Sequence, residues 1–170
     1  ARYMALEFGG DALTELPMDD RFTIANMAVE CGAKTGLFVP DETTLRYARS
    51  RASRPFTPVY PDADAVYARK EVFDVASMEP MVAAPHSPDN VKTARECDGT
   101  PIDQVFIGSC TNGRLEDLRI AAGIMKGKEV APSVRMYVYP ASRQVMLQAM
   151  YEGIMQTLSA SGAIICSASC

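Results

Sequence analysis

Short apolar runs alternating with amphipathic stretches predict an α/β fold built on parallel βαβ units. Three runs, Gln104–Gly108, Arg135–Tyr139 and Ala163–Cys166, have the length and composition of strands. Between them, Leu115, Leu118, Ala122 and Met125 mark one helical stripe, and Met146, Ala149, Met150, Ile154 and Leu158 mark another. Strands separated by helices pair in parallel through right-handed crossovers.

The earlier elements follow in chain order. Residues 1–18 are mixed, with a turn signal at Phe8-Gly9-Gly10-Asp11 and then Ala12–Leu16, too short to assign. Met18-Asp19-Asp20 offers an Asp cap to a helix from about Arg21 to Cys31, closed by Gly32. Phe22, Ala25 and Val29 form one apolar stripe on that helix, with Ile24, Met27 and Cys31 on the opposite side. A helix apolar on both sides is expected to be buried. Yet Asn26 and Glu30, at i and i+4, sit together beside the first stripe. A buried carboxylate is costly, so Glu30 is expected to be paired, protonated or facing a cleft. A solvated edge is the plainer alternative.

Lys34–Pro40 reads as a short strand after a turn at Gly36, and Asp41–Ser50 as a helix capped by Asp41. Pro55, Pro58 and Pro61 favour an extended surface connection. Ala65–Phe73 is expected to form another helix. From Met78 to Thr100, four prolines in or beside the segment (80, 85, 88 and 101), with Asp89-Asn90 and Asp98-Gly99, read as irregular chain and a domain junction. The expected division is 1–78, an α/β domain carrying Asn26 and Glu30, and 79–170, the start of a second. The sole histidine, His86, reads as a loop residue. In the second part, Arg114–Lys126 is a helix with Glu116 and Asp117 in its first turn, where the helix dipole favours acids. Gly127 ends it, and Ser142 caps a long helix reaching Ser159, with Gly162 beyond.

The 170 residues are 48% hydrophobic with a net charge of −4, ample for a folded core and unsuited to a nucleic-acid surface. No apolar run approaches the roughly 20 residues of a membrane span, so no membrane and a cytoplasmic setting are expected. Both ends look cut, as in a piece of a longer protein. Five scattered cysteines are not a disulfide framework. A P-loop and a dinucleotide fingerprint are both absent.

Two cysteines stand apart. Ligands of a parallel α/β sheet gather at the carboxyl ends of its strands. Cys110 follows the first of the three strands and Cys170 the third, which puts both on one sheet edge. A helix start after Cys110 would favour its thiolate. That suits a nucleophile, or a ligand for a soft metal or cluster. A nucleophile would have only His86 as base. A thiol-redox protein and a non-catalytic α/β binding domain also stay open.

The run Ile107-Gly108-Ser109-Cys110-Thr111-Asn112-Gly113-Arg114, with Glu116-Asp117-Leu118 after it, resembles the signature of the aconitase superfamily. Its Gly-Arg after Thr-Asn is closer to the large subunits of 3-isopropylmalate dehydratase and homoaconitase than to aconitase. Asn26-Met27-Ala28-Val29-Glu30 resembles that family's Asn-Met-x-x-Glu helix. Pro85-His86-Ser87-Pro88-Asp89-Asn90-Val91 is similar to a linker of those large subunits, and the stretch ending at Cys170 resembles the approach to a Cys-Gly-Pro-Cys motif.

The resemblance implies an aconitase-like, three-layer α/β/α fold and part of a [4Fe–4S] hydro-lyase, most closely of the leucine-biosynthetic dehydratase kind. By matched position, Cys110 and Cys170 would be iron ligands, with the third just beyond residue 170. Asn26 and Glu30 match active-site positions, Glu30 handling the hydroxyl or water at the open iron. A small subunit carrying the swivelling domain is the implied partner, and a hydroxylated di- or tricarboxylate the implied substrate. Other catalytic histidines and arginines of the family have no counterpart here, so the piece by itself is expected to be inactive and without a stable cluster. Cys166 and His86 match no ligand or catalytic position.

Overall fold

The computed structural model describes residues 1–169; Cys170 lies outside the described residues. The chain forms two compact units, the first from Ala1 to Thr100 and the second from Pro101 onward. The junction expected after Met78 therefore falls within the first unit as the chain is packed here.

The first unit contains β1 (Ala5–Phe8), α1 (Asp11–Thr14), α2 (Met18–Met27), β2 (Thr35–Phe38), α3 (Glu42–Arg49), β3 (Met81–Ala83) and β4 (Val91–Thr93). β1 and β2 pair in parallel, from Ala5 opposite Thr35 to Phe8 opposite Phe38. The two phenylalanine rings meet with centroids 5.4 Å apart. β1 carried no recognisable signal, because four residues are too few to show an alternating pattern. Gly36 is not a turn. It lies inside β2, where a Cβ would come 2.7 Å from the Ala25 carbonyl oxygen and 2.8 Å from Ala25 Cα. Glycine is what lets α2 lie directly on the strand.

The helix expected from Arg21 to Cys31 is shifted. α2 begins at Met18 behind Pro17, without a side-chain cap, and Asp19 and Asp20 occupy its first turn. After Met27 the chain tightens into three-residue hydrogen bonds, Glu30 N–H to Met27 and Cys31 N–H to Ala28 among them. Gly32, at φ +76°, then closes the end. The two-sided burial is not found: Met27, Val29 and Cys31 are exposed. What is buried is Arg21, 3% exposed. Its guanidinium grips both Asp41 oxygens, at 2.7 and 2.8 Å, and donates to the Thr14 and Leu16 carbonyls and Thr44 Oγ1. Asp41 in turn accepts from the Thr44 N–H and so caps α3 as expected.

Two further expectations fail for a common reason. No helix forms over Ala65–Phe73; Val66, Val72 and Phe73 are strongly exposed. An isolated helix of that length has too few internal bonds to persist without a surface to bury. Conversely, the irregular stretch contains an antiparallel pair, β3 with β4 (Met81 opposite Thr93), and His86 lies in the loop joining them. Strands of three mostly exposed residues leave no periodic trace.

The second unit contains β5 (Gln104–Gly108), α4 (Ser109–Asn112), α5 (Leu115–Met125), β6 (Arg135–Tyr139), α6 (Arg143–Tyr151), α7 (Ile154–Ala160) and β7 (Ile164–Ile165). The sheet order is β5-β6-β7, all parallel. Leu118, Ala121, Met136, Val138, Ala149, Met155 and Leu158 make the core between sheet and helices. The single long helix expected from Ser142 is two helices. Gly153, at φ +75°, breaks it. An ion-pair cluster ties α5 to the end of α6: Arg119 binds Glu152 at 2.7 and 2.8 Å and Glu116 at 3.0 Å. The guanidinium holds the Glu152 carboxyl down to about 2. Among the described residues no helix is long and apolar enough to cross a membrane.

Asp41→Ala would strand a buried guanidinium. The expected loss is about 3 kcal/mol in urea unfolding, at the low end for broken buried pairs because Asp41 itself is a third exposed. The same ion pair sets a pH dependence. Arg21 holds the Asp41 carboxyl well below its ordinary 3.8, so the stabilisation is complete above that value. It drains away as the pH falls below it toward the lower folded value. Asp41→Ala should flatten that acid limb of the stability curve.

Candidate functional site

Because β5, β6 and β7 run in parallel, their carboxyl ends share one edge of the sheet. At that edge β5 runs straight into the single turn of α4, which carries Cys110. Two glycines decide its path. Gly108 pairs with Tyr139 in the β5–β6 register. It has φ +145°, and a Cβ there would overlap the Tyr139 carbonyl oxygen. At Gly113, a Cβ would stand 2.5 Å from the same oxygen, 2.6 Å from the Ser109 carbonyl and 2.9 Å from Ala141 N. The turn is therefore pressed, backbone to backbone, onto the end of β6. Ala141 N–H donates to the Gly113 carbonyl at 2.7 Å, and Gly113 N–H to Ser109 at 3.0 Å. Between the glycines, Ser109 holds φ +70°, a conformation that costs a non-glycine residue about 1–2 kcal/mol and persists where the surroundings enforce it.

The outer side of the turn is held by side chains. Asp117, in the first turn of α5, accepts the Arg114 N–H at 2.9 Å and the Asn112 side-chain amide at 3.2 Å. Arg114 Nη2 donates to the Cys110 carbonyl at 2.9 Å. Cys110 is left with a free, exposed thiol. It sits within a single helical turn rather than at the start of a long helix.

Beside it on the edge, Tyr139 stacks on Phe106 with centroids 4.8 Å apart. A hydrogen bond with the half-buried Cys166 thiol raises the Tyr139 hydroxyl above its ordinary value. Cys166 thus packs at the end of β7. Cys31 and Cys97 belong to the first unit.

Of the other expected site residues, Cys170 lies outside the described residues. Asn26 is half-buried in the last turn of α2. Glu30 is exposed in the turn that follows, so the two do not share one regular helix. Sequence reasoning did not single out Gly108, Gly113 and Asp117 as the parts that shape the turn. The available signals were the two glycines bracketing Cys110 and an acid three residues after Arg114.

A free exposed thiol on a fixed turn is a soft donor that fits an iron–sulfur cluster. Among the described residues no three His, Cys, Asp or Glu side chains come together to hold a metal ion.

The sequence profile of the aconitase family (aconitate hydratase) matches residues 3–98 and 90–170. Over all 170 residues the chain is 49% identical to 3-isopropylmalate dehydratase large subunit 1 of Methanopyrus kandleri, covering 41% of that protein. It is 51% identical to the 3-isopropylmalate dehydratase large subunit of a Sulfurihydrogenibium species, covering 39%. A probable methanogen homoaconitase large subunit of Methanosarcina mazei is 49% identical, with 43% covered. The chain spans about two fifths of the length of these relatives.

If backbone contact with Tyr139 sets the turn, Gly113→Ala should cost about 1–3 kcal/mol in urea unfolding. Gly108→Ala should cost roughly 1–2 kcal/mol more, from its positive φ. Gly123→Ala, in α5 with nothing within 4 Å of the added Cβ, should be neutral or stabilising by about 0.5–1 kcal/mol. A Gly113→Ala protein as stable as wild type would show that the turn has room to spare.

Proposed function

Since the chain belongs to the aconitase family, we propose that it works within the large subunit of a [4Fe–4S] hydro-lyase of the 3-isopropylmalate dehydratase type. The supporting observation is identity near one half, sustained over all 170 residues, to large subunits bearing that name. A second reading, homoaconitase, is favoured by the equally similar relative from Methanosarcina mazei. Both readings move a hydroxyl between neighbouring carbons of a di- or tricarboxylate. Hydroxyl and a carbon-bound proton leave as water, and water returns across the resulting double bond in the other sense.

When bound, the cluster supplies a Lewis-acidic iron. Cys110 holds it in this reading, and Cys170 is the proposed companion ligand, with a third thiolate from the sequence following residue 170. A Glu30 Oε atom gives a proton to the departing hydroxyl and recovers one from the incoming water. The Asn26 amide orients the substrate beside it. The words "large subunit" in the relatives' names support a small-subunit partner, which would supply the base for the carbon-bound proton. Scattered free thiols support a reducing, cytoplasmic setting.

Two measurements test this. The complete subunit, expressed without oxygen and analysed for iron and sulfide, should contain a cluster. Cys110→Ser should abolish its retention, whereas Cys31→Ser should leave it intact. Equal iron in both variants would remove Cys110 from the ligand set. For the chemistry, Glu30→Gln in the complete two-subunit enzyme should keep the cluster and lose about 10²–10⁴-fold in kcat. Full turnover would remove Glu30 from the mechanism.

A further inference from the structure

The turn bearing Cys110 is held from two sides by different means. On the inside, Gly108 and Gly113 leave no space between its backbone and Tyr139. On the outside, two side-chain hydrogen bonds converge on one carboxylate. A residue that only caps a helix needs one oxygen for the N–H at the helix start, and Asp117 Oδ2 serves the Arg114 N–H in that way. Its second oxygen is directed elsewhere. Asp117 Oδ1 accepts from Asn112 Nδ2, five residues back and inside the Cys110 turn. Arg114, whose backbone Asp117 fixes, sends Nη2 to the carbonyl of Cys110 itself. One carboxylate thus reaches the cysteine by two routes, through Asn112 and through Arg114.

We propose that Asp117 is a positioning residue for Cys110, holding the turn through Asn112 and Arg114 so that the thiol is presented in one orientation. As a statement about cluster binding, this rests on the reading of Cys110 as an iron ligand. Groups that orient a metal ligand without touching the metal typically govern affinity and rate of loss. Here the link differs from the usual hydrogen bond to a ligand side chain, because Asp117 acts on the backbone around the cysteine. Asn112 makes the proposal separable from helix capping. Removing its amide cuts one route while leaving the Asp117 cap on α5 untouched.

The test uses the complete large subunit with its small subunit, comparing wild type, Cys110→Ser, Asn112→Ala and Asp117→Asn. In Asn112→Ala the melting temperature should stay at the wild-type value. Amide hydrogen exchange over residues 108–114 of the metal-free protein should speed up several-fold. Iron loss to a chelator from the loaded enzyme should be about tenfold faster. Asp117→Asn should show both changes, together with a lower melting temperature. If wild type holds a cluster and Asn112→Ala loses iron at the wild-type rate, the inference is overturned and Asp117 only caps α5. If wild type holds no cluster while the complex is folded, the hydro-lyase reading fails instead. The exchange rates then decide the positioning of Cys110: faster exchange in Asn112→Ala supports it, and unchanged exchange overturns it.

Discussion

Contact between the Gly108–Gly113 turn and the backbone of Tyr139 is the constraint on which the Cys110 edge of the second unit's sheet depends. Neither glycine can gain a Cβ without meeting the Tyr139 carbonyl oxygen. The contact requires β5 and β6 in one register, with Gly108 opposite Tyr139. That register is kept by the core beneath, where Met136 and Val138 of β6 lie against Leu118 of α5 and Leu158 of α7. A slip of one residue would turn those side chains to the opposite face of the sheet. The apolar core and the thiol on the edge are thus joined in part by backbone geometry, through the register of β5 and β6.

The first unit is organised by another kind of interaction. Its buried residues are few and small, Ala28 and Ala33 among them, and its most buried large side chain is the charged Arg21. A buried guanidinium is tolerable where it is fully hydrogen-bonded and paired with a carboxylate. Arg21 meets that condition through Asp41, Thr44 and two carbonyls around α1 and α2. This fixes the start of α2, and Gly36 lets the far end of α2 settle on β2. Asn26 and Glu30 follow from that placement, one in the last helical turn and the other just past it.

Most of the second unit was legible in the sequence because its elements bury a face. Gln104–Gly108 and Arg135–Tyr139 are strands over the residues expected, and Leu115–Met125 differs from the expected helix by one residue at each end. Periodicity is a record of burial, so it is clear where the core is. It misleads at Ala65–Phe73, whose apolar residues find no surface, and it is silent for β1, β3 and β4. Gly153 leaves no mark in the periodicity, since a helical pattern continues on both sides of it. Around Cys110, the resemblance to the family could be read from the neighbouring residues. The roles of Gly113 and Asp117 could not, because both depend on atoms brought near only by folding.

By itself, the sequence determined the α/β class, the parallel succession of the second unit, the family, and which cysteine stands at the end of the first strand of that sheet. These are encoded in local pattern and in short motifs, which need no knowledge of distant contacts. Tertiary structure alone decided that a buried Arg21–Asp41 pair holds α2, that Glu30 lies beyond the helix, and that Tyr139 limits the Cys110 turn. Each of these depends on groups far apart in the chain being desolvated or pressed together. No local spacing records that, because the energies involved exist only once the partner is in place.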